Sequence, residues 1–453
     1  MRAVLAMLGT RAVLLPLSFL QGALLARALG PTGVGRYSAA LVDINVLVTV
    51  LSLGLPGAIA VLQGEARGDS QRLRALWRLG LGRAVPVVVI LLVAATTLSL
   101  YGERLGLSWL HRGREPWLLA LIGGCVVLQY LRDVHNSLLW GGQHFTAQNR
   151  LNLGLAVGQL AVVAALFQLA VLTPTSALAL QAGSQLVLSA AAGLWLWRWQ
   201  LAQPPGGAPP PLEPDPSRAA PSLSSRALRI GGRNFLHILP DLLLLRIDVY
   251  LIQRLLPAAH MEQDLGIYQA GVRVAELLLL VPGTLNTVLF AKAAAREDIA
   301  RVTLLGAKLA LLLGLGACVG MALVGQPLLV AFYGQRFAGS FLPALVVLLG
   351  CTALCFSGPL AGTLSGAGGY PRSVVIAQTA ALLVNVGANL YLLPRYGVRG
   401  AAVASALSYL CSAVLIAIAF ARRFELTAAD LLRPHSPRQM LAALRGSSAP
   451  QIQ

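Results

Sequence analysis

Charged side chains within long apolar stretches are the residues of this sequence whose types and spacing could do chemistry. Three arginines and four carboxylates lie in this way: Arg132, Arg246, Arg273, Asp43, Asp133, Asp248 and Glu276. In a membrane-spanning helix each such charge costs about 2.5–3.5 kcal/mol, so it normally faces a water-filled cavity or another charge. Asp43 could alternatively be the tertiary partner of Arg27, and the sequence leaves these two roles open.

Spacing along a helix decides which of these charges could neutralise each other locally. Arg273 and Glu276 are three residues apart and could pair on one helix face. Arg246 and Asp248 are two residues apart and cannot share a face. The second pair therefore needs partners on other helices, or a wet cavity.

The composition places these charges in a membrane protein. The chain has 453 residues, of which 57% are hydrophobic and 11% charged, whereas a soluble domain carries roughly 25% charged residues. A spanning helix needs about 20 mostly apolar residues. About twelve such stretches occur, at 8–28, 37–62, 79–101, 116–141, 148–171, 176–199, 232–256, 265–290, 302–325, 341–365, 373–393 and 397–420. We therefore predict an all-α integral membrane protein.

The basic residues predict an orientation rather than a nucleic-acid partner. The net charge is +18, but the arginines lie in short loops between apolar runs and form no single patch. With the N-terminus inside, the inner segments hold 18 basic residues and the outer segments 9. Positive charge collects on the cytoplasmic side, so we predict both termini in the cytoplasm, as a multi-pass protein of the bacterial inner membrane.

A proline-rich segment divides the chain into two predicted halves. Residues 200–229 cannot bury much surface, and their prolines favour an extended cytoplasmic linker. We predict a six-helix bundle at 1–199, a second at 230–421 and a cytoplasmic tail at 422–453. The N-terminus also has features of a signal peptide, but the symmetry of six and six spans requires it as the first span.

Short motifs recur in the two halves in the same order. "GRYSAA" begins span two and "GIYQAG" begins span eight; "LLWGGQHFTAQNRLNLG" follows span four and "LSGAGGYPRSVVIAQTA" follows span ten. The parity of the spans is the same in both halves. This is typical of a parallel repeat about an axis along the membrane normal.

Three segments resemble the polysaccharide flippases of the multidrug/oligosaccharidyl-lipid/polysaccharide (MOP) exporter superfamily. They are "LLARALGPTGVGRYSAALVDINVLVTVLSLGLPGAI", then "LLRIDVYLIQRLL" with "DLGIYQAGVRVAELLLLVPG", and "YGVRGAAVASALSYL". The resemblance covers most of the chain except the linker and the tail past about residue 425. Arg36 departs from the pattern, since that family usually has an apolar residue there, which affects only the surface of the outer loop.

The resemblance implies two six-helix bundles that form a V around a central cavity, a MATE-like fold. It also implies a cargo of lipid-linked oligosaccharide, with a pyrophosphate on a polyprenyl tail, that moves from the inner to the outer leaflet. Because the planar guanidinium binds phosphate oxygens bidentately, the candidates for the headgroup site are Arg246, Arg273 and Arg132. The candidates for proton or ion coupling are Asp248, Glu276, Asp133 and Asp43. The sequence does not identify the coupling ion.

The opening motif is interpreted as structural. Gly30 and Pro31 are expected to make a tight outer turn between spans one and two. Arg27 is expected to snorkel at the end of span one, and Tyr37 to anchor the next helix at the membrane interface. We expect a rigid hairpin that marks the fold and does not bind cargo.

Other function classes leave different marks in a sequence. A lipid II flippase usually has fourteen spans, and a cation-coupled multidrug antiporter would have acids and few arginines in its cavity. A membrane-embedded enzyme of polysaccharide assembly would need catalytic groups in a sizeable loop, and Glu103, His111 and Glu115 are the only candidates in the longest outer loop. We predict no enzyme activity, cofactor or metal; the expected partners are membrane lipid and polysaccharide polymerase or assembly proteins.

Overall fold

The computed structural model describes residues 2–65, 69–101, 116–201, 222–280, 282, 299–365, 372–433, 436 and 439–440. Within these ranges the chain forms thirteen α-helices and no strand: α1 Arg2–Ser52, α2 Leu55–Glu65, α3 Ser70–Gly82, α4 Ala84–Tyr101, α5 Pro116–Gly141, α6 Phe145–Gln168, α7 Pro174–Leu201, α8 Leu223–Leu255, α9 Met261–Glu276, α10 Ile299–Tyr333, α11 Phe341–Leu364, α12 Arg372–Arg423 and α13 Ala428–Leu432. Two short 3-10 helices lie at Leu277–Leu279 and Gln335–Ser340. Most of the predicted linker, the end of the predicted tail, and the loop residues Glu103, His111 and Glu115 lie outside the described residues.

Eight stretches of the described residues are long and apolar enough to cross a membrane. Two of them, in α1 and α12, have 40 and 52 residues, which is enough for two crossings of about 20 residues each. Both are broken at a glycine with positive φ, Gly30 (62°) and Gly397 (58°), a conformation that glycine adopts without steric cost. Divided there, and together with the charge-rich α8 and the 16-residue α9, the stretches account for the twelve predicted spans.

The chain divides into two compact units. Unit 1 comprises residues 1–28 and 39–239, and unit 2 comprises residues 29–38 and 240–453. In unit 1, α5 is the central helix and packs against α2, α3, α4 and α7. In unit 2, α11 has this role and packs against α9, α10 and α12.

Unit 1 is held together by apolar packing and by hydrogen bonds between neutral groups. Ile59, Leu76 and Leu138 are fully buried in its core. Beside them, Trp77 Nε1 donates to His135 Nε2 (3.1 Å), and His135 Nδ1 lies 2.9 Å from the Ser189 hydroxyl. Because Nε2 accepts a hydrogen bond, it is the unprotonated nitrogen of the neutral imidazole, so Nδ1 carries the hydrogen and donates a hydrogen bond to the Ser189 hydroxyl. His135 therefore joins α3, α5 and α7.

Unit 2 contains one of the two lysines of the chain at a structural position. Lys308 on α10 is buried, and its ammonium group donates to the carbonyl oxygens of Asp430 and Arg433, both at 2.8 Å. These carbonyls lie at the C-terminal part of α13, where a cation is favourable. Lys308 therefore ties the short helix α13 to α10.

The opening motif packs within unit 2 against α9. A Cβ built on Gly266 would overlap the carbonyl of Pro31, and one built on Gly35 would overlap the carbonyl of Glu262, so both glycines are required by close backbone approach. Tyr37 is 6% exposed. Its anchoring of the helix at the membrane interface stays a prediction.

Candidate functional site

Arg246 and Glu276 form an ion pair between two helices of unit 2. Arg246 projects from α8 and Glu276 from the end of α9. The guanidinium donates to both carboxylate oxygens, Nη1 to Oε1 at 2.8 Å and Nη2 to Oε2 at 3.0 Å. As the spacing predicted, Arg246 has its partner on another helix. Each charge is satisfied, and the pair holds α8 against α9.

Arg273 stands apart from this pair. The local pairing of Arg273 with Glu276, one of the two readings of their spacing, does not occur, because Glu276 is engaged by Arg246. Arg273 Nη2 instead donates to the Ser38 hydroxyl at 2.9 Å, and its guanidinium lies 5.8 Å from the centre of the Tyr37 ring. Both partners are neutral. No carboxylate of the described ranges lies within ion-pair distance of Arg273, so its positive charge is not balanced there.

Asp248 is the centre of a buried polar network in unit 2. It lies on α8 with 2% of its surface exposed. Its Oδ2 accepts from the Tyr268 hydroxyl at 2.6 Å and from the Ser405 hydroxyl, and its Oδ1 accepts from Asn389 Nδ2 at 3.0 Å. All of these donors are neutral, and no arginine or lysine of the described chain pairs with Asp248. The carboxylate is therefore stabilised by dipoles alone.

The network contains more acceptor oxygens than hydrogens. Asn389 Nδ2 lies within hydrogen-bond distance of three oxygens: Asp248 Oδ1 (3.0 Å), Asn385 O (3.0 Å) and Asn385 Oδ1 (2.8 Å). An amide nitrogen has two hydrogens. Asn389 Oδ1 itself is buried with no partner in the structure described. A cluster of oxygens with too few donors is suited to take up a proton or a small cation.

The polar residues around Asp248 were not predicted from the sequence, although their spacing in the sequence indicates them. Asn385 and Asn389 are four apart in an apolar stretch, and Ser405 and Ser408 follow after the break at Gly397. Asn385 Nδ2 donates to the Ser408 hydroxyl at 3.1 Å. Side chains four apart on a helix share a face, so this spacing places a polar stripe on α12. Which stripe meets which carboxylate depends on helix packing, which the sequence does not reveal.

Unit 1 has a cavity of about 370 Å³ beside its own charge pair. Arg132 Nη2 donates to Asp133 Oδ1 at 2.9 Å, and the two side chains keep 27% and 29% of their surface exposed. Asp133 lines the cavity, together with the side chains of Thr49, Ser52, Asn136, Ser137 and Trp140. Hydroxyl, amide and carboxylate groups beside an indole can hydrogen-bond and stack a polar ring.

A helix break contributes to the same cavity. The chain leaves α1 at Ser52 and enters α2 at Leu55, and Leu53 and Gly54 both have positive φ (47° and 69°). Ser52 and Gly54 line the cavity. Irregular backbone at membrane depth is tolerated where it is buried in protein or lines a water-filled cavity. This break therefore fits the cavity of unit 1, whose lining includes several polar side chains.

The remaining predicted residues take other positions. Arg27 is exposed and Asp43 is half-buried, both on α1; their pairing stays a prediction. Gly30 and Pro31 lie in the segment that packs against α9, so they belong to the structure of unit 2. Among the described residues, no three His, Cys, Asp or Glu side chains are grouped so as to hold a metal ion.

Comparisons with known proteins agree with this architecture. The family described as polysaccharide biosynthesis protein matches residues 4–290. No match was found among curated proteins. The solved structure of lipid II flippase MurJ in an inward closed conformation superposes with a TM-score of 0.66 at 13% identity, over 98% of this chain and 90% of that one. An inward-facing multidrug resistance MATE family transporter of the MOP superfamily has a TM-score of 0.63 at 15% identity, over 96% of both chains.

A third solved structure is a MOP superfamily transporter from Pyrococcus furiosus, with a TM-score of 0.59 at 14% identity over 94% of this chain and 95% of that one. Identities this low show the fold alone. The predicted fold, that of the MOP superfamily, is therefore confirmed.

Proposed function

Because the chain belongs to the polysaccharide biosynthesis protein family, we propose that it moves a polyprenyl-pyrophosphate-linked oligosaccharide from the inner to the outer leaflet by alternating access. The family and the fold are those of membrane transporters. The charges of the site support this cargo. A bacterial inner membrane with both termini in the cytoplasm is the setting of this proposal, and the sugar is left open.

Arg273 is the observation that carries the proposal. It is a half-buried arginine on α9 whose described partners are a hydroxyl and an aromatic ring. Guanidinium remains charged at every relevant pH and binds phosphate oxygens with two parallel N–H groups. An uncompensated arginine at membrane depth is therefore suited to a pyrophosphate and poorly suited to a cationic drug.

The other two arginines have secondary roles in this proposal. Arg246 has both of its terminal N–H groups engaged by Glu276, so it can bind cargo only if this pair opens. Arg132 is paired with a neighbour that lines a cavity, and its exposed fraction allows a second anionic contact. Arg132 in unit 1 and Arg273 in unit 2 would bind the cargo at different stages of transport.

Asp248 is the favoured coupling residue among the four predicted carboxylates. Glu276 is held by Arg246 and Asp133 by Arg132, so neither can take up a proton without breaking an ion pair. Asp248 already faces a surplus of oxygens and an unpartnered Asn389 Oδ1. A proton or a monovalent cation entering there would supply the missing positive charge.

Lipid II is the second candidate cargo, supported by the likeness to MurJ. Its headgroup is also a pyrophosphate on a polyprenyl tail, so Arg273 would serve equally well. The two cargos differ in their sugars and peptide. The cavity of unit 1, with Trp140 and several polar side chains among its lining residues, is the place where such a difference would be detected.

The test is reconstitution of the native chain in liposomes that hold polyprenyl-pyrophosphate-linked oligosaccharide, lipid II or a cationic dye. Access to each headgroup is measured from outside with a non-permeant enzyme. We expect the native protein to expose the oligosaccharide headgroup, and Arg273→Ala to slow this by about tenfold or more, the loss of one charge-assisted hydrogen bond. Arg273→Lys keeps the charge and should be intermediate.

Arg254→Ala is the matched control, since Arg254 is exposed near the end of α8. Exchange of the dye against protons, with no access to either headgroup, would contradict the proposed cargo. Access to lipid II alone would select the second candidate. For coupling, Asp248→Asn keeps the shape of the side chain; it should remove the response of transport to a sodium or proton gradient, and an unchanged response excludes Asp248.

A further inference from the structure

A separate apolar groove lies within unit 1, between α6 and α7, with a volume of about 450 Å³. Its lining is mostly aliphatic and glycine, including Gly154, Gly158 and Val162 from α6 and Gly183 and Val187 from α7. A side chain added at any of these three glycines would have no atom within 4 Å. The glycines therefore create open space and are not needed for close helix packing.

The dimensions of the groove fit one hydrocarbon chain. On α6 the lining residues run from Arg150 to Val162, about 18 Å along the helix axis, and on α7 from Leu180 to Ala191, about 16 Å. The volume divided by this length gives a cross-section of about 25 Å². This width accommodates a single tail, and a diacyl lipid would leave its second chain outside.

One end of the groove carries a positive charge. Arg150 is the first lining residue on α6, it is exposed, and no ion pair to it is found within the part of the chain described. The helices α6 and α7 are connected by residues 169–173 and run antiparallel, so Arg150 and Ala191 are at the same end. The predicted topology places this end at the cytoplasmic leaflet.

The helix that forms one wall has little cover from the rest of the protein. Only 6% of the most apolar window of α6 is buried, the smallest share of the eight candidate spans. The groove therefore opens outward from unit 1 along most of its length. The other polar lining side chains are Gln159 and Ser184, and the Ser184 hydroxyl is already used by Gln181 O at 2.8 Å.

We propose that this groove binds the polyprenyl tail of the lipid-linked cargo while Arg150 contacts its phosphate. The inference rests on the proposed function and adds a tail site to it. A one-chain groove that ends at an unpaired guanidinium matches a single-tailed phosphate lipid in both shape and charge. Binding at the cytoplasmic end would hold the cargo in unit 1 before its headgroup reaches Arg273.

The test uses two photoreactive lipids in vesicles of phosphatidylethanolamine and phosphatidylglycerol that contain the full chain. One is a polyprenyl phosphate with a diazirine in its tail, and the other is a phosphatidylglycerol with a diazirine in one acyl chain. Labelled peptides are identified by mass spectrometry. We expect the polyprenyl probe to label α6 and α7, and unlabelled polyprenyl phosphate to compete.

Two variants locate the tail and the phosphate. Gly158→Leu fills the groove without a clash and should lower this labelling at least fivefold. Gly320→Leu on α10, which also meets no atom within 4 Å, should leave it unchanged. Arg150→Gln should weaken labelling by polyprenyl phosphate but not by an uncharged polyprenol probe, whereas Arg198→Gln, an exposed arginine on α7, should affect neither.

Equal labelling by the two lipids without competition would mean that ordinary bilayer lipid occupies the groove, and would overturn the inference. Unchanged labelling in Gly158→Leu would do the same. If the native protein moves no lipid-linked oligosaccharide while specific labelling persists, the proposed transport fails and the tail site stands. If the native protein transports the lipid-linked oligosaccharide fully without specific labelling, the tail site fails and the proposed transport stands.

Discussion

Units 1 and 2 each carry an arginine–carboxylate pair within the predicted spans, but they build it differently. In unit 1, Arg132 and Asp133 are adjacent in sequence on one helix, and Asp133 lines a cavity. In unit 2, Arg246 and Glu276 are 30 residues apart and join two helices. The first pair therefore leaves helix packing unaffected when it opens, whereas the second is part of the packing.

This difference separates charges that can bind from charges that hold structure. The two pairs have similar exposed fractions, 27% and 29% in unit 1 and 23% and 18% in unit 2, so what separates them is that only the second pair joins two helices. Breaking a buried pair leaves one charge without a partner and costs about 3–5 kcal/mol. In unit 1, His135 joins three helices through neutral contacts, while the ion pairs of Glu65 with Arg72 and Arg226 lie at the surface. In unit 2, the pair of Arg246 and Glu276 lies within the helix packing.

The largest expected effect is that of Glu276→Ala. It leaves the guanidinium of Arg246 unpaired, and because the pair keeps about a fifth of its surface exposed, we expect a loss of about 3 kcal/mol in the free energy of unfolding, the lower end for a buried pair. Unfolding in mixed detergent micelles measures this loss. Asp133→Ala in unit 1 is the matched variant and should cost less, because the Arg132–Asp133 pair lies on one helix and joins no two helices.

Equal losses in Glu276→Ala and Asp133→Ala would remove the distinction between the two units. The double variant Arg246→Met/Glu276→Leu sharpens it. Replacement of both charges by apolar groups of similar size is often neutral for stability, so this variant should recover most of the loss while transport changes.

Gly266→Ala should have the next largest effect. Its Cβ would meet the carbonyl of Pro31, so the segment at 29–38 must move away from α9, at about 2 kcal/mol for overpacking. Gly232→Ala on α8 is the control in unit 1. A Cβ at Gly232 would meet no atom within 4 Å, and alanine is more favourable than glycine in a helix by about 1 kcal/mol. The melting temperature should therefore rise in Gly232→Ala and fall in Gly266→Ala.

His135→Leu tests the neutral network of unit 1. It leaves Trp77 Nε1 and the Ser189 hydroxyl without their partner, and each buried unsatisfied group costs about 1–3 kcal/mol. Leucine restores part of the lost packing, so we expect a net loss of about 1–2 kcal/mol, measured by the same unfolding titration. A gain in stability would show that the hydrogen bonds of His135 are not what holds α3 and α7 to α5.

The smallest effect is expected for Asp430→Asn, outside the predicted spans. Hydrogen bonds from the Thr427 hydroxyl and backbone N–H (2.6 and 2.8 Å) lower the pKa of Asp430. A lowered pKa means that the carboxylate contributes stability above its ordinary pKa, and that the contribution is lost as the pH falls through the folded value. Global unfolding should be unchanged at pH 7, while amide exchange in α13, measured by mass spectrometry, becomes faster.

Acidification of the native chain well below the ordinary pKa of an aspartate should have the same local effect on α13, after correction for the intrinsic exchange rate. The variant already lacks the carboxylate, so its exchange should not respond further. A pH response in Asp430→Asn equal to that of the native chain would assign the effect to another group.

Apolar length and charge alone determined the broad features of this protein. About twelve stretches of spanning length require helices, because every backbone group in lipid must bond within its own segment. Gly30 and Pro31 marked a break in α1, and the two-residue spacing of Arg246 and Asp248 required partners elsewhere. Each of these conclusions depends on local geometry, which the sequence contains.

Tertiary structure decided which partner each charge has. Glu276 could have paired with Arg273 on its own helix, yet it pairs with Arg246 because α8 brings a bidentate guanidinium to the end of α9. Asp248 meets Tyr268, Ser405 and Asn389 from α9 and α12, and the groove beside Arg150 forms only because glycines of two neighbouring helices leave open space there. Contacts between residues far apart in sequence depend on helix packing, and periodicity along one chain cannot specify them.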